Sequence, residues 1–247
     1  MVDFRLKIAD TVIEVHAVYE STACFCRDFF TDSSPDFSVH LDEDDISSES
    51  ARSDREREYE GLPELHFSRG YLETLALYRK ISSALLDRGV VLFHGSSLMM
   101  DGRAYVFTAK SGTGKSTHSA VWRRVFGDRV AMINDDKPLI RITDGGAIAY
   151  GTPWNGKHCI GSNISAPIAA ICSIHRSPTN AIKSVSPQDA LPIVLGQIYR
   201  PTEPQKLRTT LILADKLTRA VPFYSLGCNM EDEAALVAYG AMKGDTP

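Results

Sequence analysis

Residues 109 to 117 read Ala-Lys-Ser-Gly-Thr-Gly-Lys-Ser-Thr, with two glycines and four hydroxyls surrounding Lys115. Gly112 and Gly114 admit positive φ, so successive backbone N–H groups can turn inward around one anion. Lys115 adds a cation. Ser116 adds a hydroxyl oxygen, a donor that suits a hard divalent ion such as Mg²⁺. An apolar stretch, Ala104 to Thr108, precedes the loop, and a helical pattern with Val121, Trp122 and Val125 on one face follows it. The helix N-terminus would then point its dipole at the same anion. The pattern is G-x-x-x-x-G-K-[ST], the Walker A phosphate loop, with Ala109 in place of the first glycine. Ser111, Gly112, Thr113, Gly114, Lys115, Ser116 and Thr117 are therefore expected to hold the phosphates of a nucleotide such as ATP, with Ser116 on Mg²⁺.

Downstream, Val130 to Pro138 read VAMINDDKP, an apolar strand running into Asp135 and Asp136. A carboxylate at the C-terminal end of a strand beside a phosphate loop can hold Mg²⁺ or accept a proton from an incoming hydroxyl. Two adjacent carboxylates suggest one of each. The plain structural alternative is a pair that starts the turn before Lys137-Pro138.

His94-Gly95, fifteen positions before Ala109, together with the loop and with Asn134-Asp135-Asp136, resembles the catalytic domain of HPr kinase/phosphorylase. SGTGKST followed by NDD is also similar to ATP-dependent phosphoenolpyruvate carboxykinase, which shares that fold. The resemblance covers residues 90 to 150. Beyond them the chain is more similar to the small HPr-kinase-like proteins found near peptide-maturation genes than to HPr kinase itself. The resemblance implies that Lys115 and Ser116 bind phosphates and Mg²⁺, that Asp135 is the base and Asp136 the metal partner (roles that could be exchanged), and that His94 sits near the γ-phosphate. Two departures stand out. Thr117-His118 follow the loop serine where HPr kinase has an acidic residue, and the family's second, glycine-containing signature has no clear copy.

In place of that signature stands YGTPWNGKHCIGSNIS, residues 150 to 165. Gly151, Pro153, Trp154, Gly156 and Lys157 form an expected loop that could close over nucleotide or acceptor, with Lys157 stabilising transferred charge. Arg200, in QIYRP, is a second candidate cation for the γ-phosphate. His118, His158 and His175 have no nameable partners.

The elements that must position these residues follow from hydrophobic period and turn chemistry. Strands are expected over FRLKIAD, TVIEVHAVYE and FSVHLDE, and a helix over residues 68–88 with Leu77, Ile81, Ala84 and Leu85 on one face and Gly89 as its stop. Further strands read as VVLFHGSSLMMDGRAYVFTA with an Asp101-Gly102 hairpin turn, RVAMIND, PLIRI, AIAYG, AAICSIH, AIKSVS and VPFYSL. Ser186-Pro187 opens a helix running towards Tyr199, and two more helices cover residues 204–219 and 231–242. The mixture gives an α/β (α+β mixed) class: an N-terminal β-rich segment over residues 1–88, packed on a core over residues 89–247 of the phosphoenolpyruvate carboxykinase/HPr kinase type.

Composition removes other classes. With 43% hydrophobic and 23% charged residues over 247 positions, the chain reads as globular. No apolar run is long enough to span a bilayer and no signal segment opens the chain, so no membrane partner and a cytoplasmic location are expected. Residues 42–60 hold nine acidic and three basic side chains within an overall net charge of −4. That stretch reads as a solvated helix or mobile loop, with a docking surface for a basic peptide as the alternative. No basic arm points to nucleic acid. The five scattered cysteines read as buried free thiols. A homo-oligomer is left open.

The leading expectation is thus a Mg²⁺-dependent, ATP-using kinase with a hydroxyl acceptor, a peptide or protein serine or else a small molecule. A carboxykinase would need a dicarboxylate-binding half for which the chain looks too short. From a different class comes an ATP-binding regulatory or scaffold protein that transfers nothing.

Overall fold

The computed structural model describes residues 1–59, 61, 63, 65–156 and 158–244. It divides the chain into two compact units, Met1–Ala84 and Leu85–Pro247.

In the first unit, β1 (Val2–Ile8) and β2 (Thr11–Ala17) form an antiparallel hairpin. Its turn residues, Ala9 and Asp10, both have positive φ, 48° and 52°, the handedness that follows the twist of the flanking strands. The period-2 pattern predicts a strand through Glu20, but helix α1 (Glu20–Cys26) begins there. Later come β3 (Phe37–His40), parallel to β2, then α2 (Glu43–Tyr59) and α3 (Arg69–Leu85). Glu73 on α3 explains the early end of β2. Its buried carboxylate accepts from the Val18 N–H at 2.5 Å, the Tyr19 N–H at 3.1 Å and the Thr22 hydroxyl at 2.5 Å. The two backbone donors, at Val18 and Tyr19, are thereby taken from the ladder. The acidic stretch is α2, and it is not wholly solvated: Ile46 and Glu49 are buried, and Glu49 pairs with Arg79 of α3 at 2.7 Å. The expected 68–88 helix ends as an α-helix at Leu85, tightens to a 3₁₀ turn over Leu86–Arg88, and stops at Gly89 with φ 72°.

The second unit is built on a nine-stranded sheet. Its elements are β4 (Val90–Leu92), β5 (Ser96–Met100), β6 (Arg103–Thr108), α4 (Lys115–Phe126), β7 (Val130–Asn134), β8 (Leu139–Thr143), β9 (Gly146–Tyr150), β10 (Ser165–Arg176), β11 (Ala181–Val185), α5 (Pro187–Leu195), α6 (Pro204–Ala220), β12 (Phe223–Cys228) and α7 (Glu233–Met242). The strand order is β4-β8-β9-β10-β6-β5-β7, and β12, carrying β11, also pairs with β10. The long β10 therefore joins two sheet segments. Its start is antiparallel to β9, and its later part lies parallel to both β6 and β12.

Alternation along β6 and β10 sends side chains to two cores. Val106 and Ile171 pack with Val194, Leu213 and Leu217 of α5 and α6, whereas Tyr105, Phe107 and Cys172 pack with Trp122 of α4 and Ala235 and Ala238 of α7. Strands covered on both faces read as continuous apolar runs, which is how YVF appears in the sequence. Ser186 caps α5 by accepting from the Asp189 N–H at 3.2 Å, as expected, but the helix ends at Leu195. Beyond it, Ile198 bridges to Phe93 beside β4, which draws the chain out of the helix before Tyr199. Of the five cysteines only Cys26 and Cys172 are fully buried, and Cys24 and Cys159 are exposed. Among the described residues, no helix is long and apolar enough to cross a membrane.

Replacing Glu73 by Ala strands three donors at a buried position. The expected result is a loss on the order of 3 kcal/mol in unfolding free energy, read by urea denaturation; an unchanged midpoint would remove Glu73 as the tie that ends β2.

Candidate functional site

β5 is antiparallel to both β6 and β7, so those two run parallel to each other and end on one edge of the sheet, where β5 begins. The register places Ser96 opposite Phe107 and Ser97 opposite Asn134. His94-Gly95, the glycine loop and Asp135-Asp136 therefore emerge side by side, although 41 positions separate His94 from Asp135 in the chain. Two hydrogen bonds to backbone carbonyls lock the three segments together: the Thr108 hydroxyl donates to the His94 carbonyl at 3.0 Å, and the Gly95 N–H to the Asp136 carbonyl at 3.0 Å. A Cβ on Gly95 would lie 2.9 Å from the Phe107 carbonyl oxygen and 3.1 Å from the Phe93 ring, so no other residue fits there without displacement.

In the loop, Gly112 and Gly114 take φ 74° and 125°, the conformations that favour glycine, and α4 starts at Lys115. Ser119 secures the first turn of α4, its hydroxyl lying 3.2 Å from the Lys115 carbonyl and 2.7 Å from the Ser96 hydroxyl of β5. The Lys115 ammonium donates to the Ala109 carbonyl at 3.3 Å. Half-burial pushes its pKa down, and the charge of Asp136 opposes that shift. Ser116 and Thr117 are exposed at the start of the helix.

Asn134, fully buried, builds the aspartate turn. Its Oδ1 accepts from the Asp136 and Lys137 N–H groups at 2.8 and 2.6 Å, and its Nδ2 donates to the Thr152 hydroxyl at 2.9 Å and the Thr152 carbonyl at 3.2 Å. The two carboxylates then meet different surroundings. Asp135 is 5% exposed, with Oδ1 accepting from the Gly156 N–H at 2.6 Å. Burial raises its pKa despite that bond, and the neighbouring Asp136 charge adds to the rise. For Asp136, burial works against the charged form, but the hydrogen bond from His94 and the charge of Lys137 outweigh it and hold the carboxyl well below the usual carboxylate range. His94 Nε2 stands 3.3 Å from Asp136 Oδ1, and Lys137 Nζ 2.5 Å from Oδ2.

Next to the loop lies a cavity of about 610 Å³, lined by Gly112, Gly114, Thr117 and His118 on one side and by Arg176 and Asn229 on the other. It opens beside the ends of β10 and β12, on the opposite side of β6 from β5 and β7. Its volume is in the range of small-ligand sites.

The sequence-expected residues fall out unevenly. His94, residues 111–117 and the two aspartates gather at this edge. Lys157 lies outside the described residues. Arg200 is exposed, and its segment runs antiparallel to β4, where Gln197, not Arg200, meets His94: the Gln197 carbonyl accepts the His94 N–H at 2.7 Å. Three residues further on, Arg200 has moved away along β4. Trp154 is 4% exposed and its carbonyl faces Asn134 at 3.4 Å, so the loop around it is packed under the aspartate turn. His118 is a core residue whose Nε2 accepts the Trp122 indole N–H at 3.1 Å, and burial pushes its pKa down to about 4. His175 lines the cavity, and His158 is exposed. Sequence reasoning passed over Asn134 as a turn builder, though an Asn ahead of a turn is a recognisable signal. It also missed Thr152 and Arg176, for which no local signal exists.

The oxygen donors Ser116 and Asp136, the Lys115 cation and a loop with φ-positive glycines are the donor set that suits a Mg²⁺-bound polyphosphate, which brings most of the metal's other ligands itself. Among the described residues there is no cluster of three or more His, Cys, Asp or Glu that could hold a metal alone.

No family model and no curated protein sequence matches the chain. Among solved structures it is similar to the HPr(Ser) kinase/phosphatase from Coxiella burnetii, at 12% identity and a TM-score of 0.33, over 60% of this chain and 91% of that one. The likeness is a distant one.

The opposed carboxylates make a stability prediction. Asp135, with its raised folded pKa, subtracts stability above that value, and the penalty fades as the pH falls towards its unfolded value of 3.8. Asp136, with a depressed folded pKa, adds stability above 3.8 that is lost as the pH drops towards its folded value. Without metal, Asp135→Asn should therefore melt higher than wild type at pH 7, by roughly 2–4 °C for about 1 kcal/mol, and the gain should shrink on acidification. Asp136→Asn should melt lower. Thermal melts in EDTA from pH 7 to pH 4 check both signs.

Proposed function

We propose that this edge of the sheet transfers the γ-phosphoryl group of ATP to a hydroxyl, with a serine of a peptide or protein as the preferred acceptor class and a small-molecule hydroxyl as the alternative. The observation that carries this reading is the meeting of a φ-positive glycine loop and its lysine with two adjacent carboxylates whose proton affinities are driven in opposite directions. Residues 111–117 would hold the phosphates, and the adjoining cavity would take the nucleoside. Ser116 and Asp136 would hold Mg²⁺, which supplies charge neutralisation on the β- and γ-phosphates when bound.

A serine-type hydroxyl is a weak nucleophile at neutral pH. Asp135, whose surroundings raise its proton affinity, would accept the hydroxyl proton as the new O–P bond forms and the bond to the ADP oxygen breaks. Asp136 would stay ionised, oriented by His94, and Lys115 would meet the charge moving onto the leaving phosphates. Exposure favours a second reading with the roles exchanged, since Asp135 is buried and Asp136 is partly open to solvent.

Three variants separate these readings. Lys115→Ala should weaken Mg–ATP binding at least tenfold with an unchanged circular dichroism spectrum, a loss of about 1.4 kcal/mol or more. Asp135→Asn should bind Mg–ATP nearly as wild type and lose on the order of 10²- to 10⁴-fold in single-turnover transfer. Asp136→Asn should raise the Mg²⁺ requirement. The acceptor is sought by incubation with labelled ATP and peptide or metabolite pools. If Asp136→Asn is dead at unaltered Mg²⁺ dependence while Asp135→Asn transfers normally, the roles are exchanged. Tight Mg–ATP binding with no labelled product in either pool identifies a nucleotide-binding regulator, and unchanged affinity in Lys115→Ala removes the site.

A further inference from the structure

We propose that Arg176 is the positioning residue that holds the glycine loop in its binding shape, an inference that rests on the nucleotide-site reading above. β6 and β10 are parallel, with Thr108 opposite Ser173 at the end of their pairing. Where β6 gives way to the loop, β10 continues for three more residues to Arg176, so its side chain is delivered alongside the loop tip. There the guanidinium Nη2 donates to the Gly112 carbonyl at 2.7 Å and Nε to the Thr113 carbonyl at 3.3 Å.

The loop needs such a tie. A Cβ on Gly112 would meet nothing within 4 Å, and one on Gly114 only Thr117 at 3.9 Å, so no packing defines the tip. Glycine backbone also has the most conformational freedom to lose. Within the loop, one bond closes the turn, from the Thr113 N–H to the Lys110 carbonyl at 3.2 Å. Arg176 adds two bonds from a residue more than sixty positions away, anchored in a strand whose Cys172 and Ile174 are buried. The two carbonyls it engages belong to the peptide units that carry the Thr113 and Gly114 N–H groups. A cation on the carbonyl side polarises those units, which strengthens the Thr113 N–H bond that closes the turn and makes the Gly114 N–H a better donor to an anion. A loop that gathers N–H groups inward turns carbonyls outward, and a guanidinium fork suits two neighbouring carbonyls where a single ammonium reaches one.

Arg176 is exposed, so the effect is moderated by solvent. Hydrogen exchange of the nucleotide-free protein should show residues 110–114 exchanging faster in Arg176→Ala than in wild type, with other segments and Tm unchanged. Titration should show Mg–ATP affinity weakened roughly three- to tenfold in Arg176→Ala and partly restored in Arg176→Lys. Loop exchange equal to wild type overturns the proposal, as does wild-type Mg–ATP affinity in Arg176→Ala when Lys115→Ala abolishes binding. Full restoration by Arg176→Lys with unchanged loop exchange would make Arg176 a direct phosphate contact instead, and overturns it too. If the wild-type protein binds no Mg–ATP, the nucleotide-site reading falls first and takes this inference with it.

Discussion

Antiparallel pairing of β5 between β6 and β7 is the constraint from which the candidate site follows. A strand placed so must begin at the edge where both neighbours end, and that one geometric fact brings a histidine-glycine pair, a glycine loop and two aspartates together. The backbone then closes the arrangement: Gly95 can approach the Phe107 carbonyl because it has no side chain, and its N–H reaches the Asp136 carbonyl. Sheet hydrogen bonds are thus what hold the reactive groups, and side-chain packing on either face holds the sheet. Trp122, buried between β6 and α7 and ringed by Tyr105, Phe107, Phe126 and Tyr239, fixes the helix that follows the loop.

Two identical carboxylates, adjacent in the chain, come out chemically different because Asn134 splays them. Its side chain captures the Asp136 and Lys137 N–H groups and is itself held by Thr152. Asp135 is thereby directed under Gly156, where burial dominates, and Asp136 towards His94 and Lys137, where the hydrogen bonds of both and the Lys137 charge outweigh burial. Thr152 and Trp154, in the segment after β9, contribute the support for this turn. The Trp154 ring is spent on packing.

Much of the secondary structure was legible in local signals. Asp101-Gly102 and Gly89 adopt the positive φ that their turns and caps require, and Ser186-Pro187 opens a helix as capping chemistry demands. The misses have a common cause. β2 stops at Ala17 and α1 begins because Glu73, more than fifty positions later, takes the backbone donors at Val18 and Tyr19. α5 stops at Leu195 because Ile198 is drawn to Phe93. Neither partner lies within the window over which hydrophobic period is read.

The loop and the aspartate pair were visible in the sequence because their chemistry is encoded in contiguous residues: glycines that permit positive φ, a lysine, hydroxyls, and carboxylates at a strand end. A local backbone requirement leaves a local trace. What the sequence left open is decided by contacts between distant segments. Which carboxylate is pushed towards protonation and which away depends on the burial of Asp135 and on His94 and Lys137 beside Asp136, and Arg176 reaches the loop only because β10 outruns β6. The same holds for Arg200, a cation whose distance from the loop depends on the direction in which its segment runs along β4. Charge, burial and orientation at a site are sums over neighbours in space, and only the folded chain selects those neighbours.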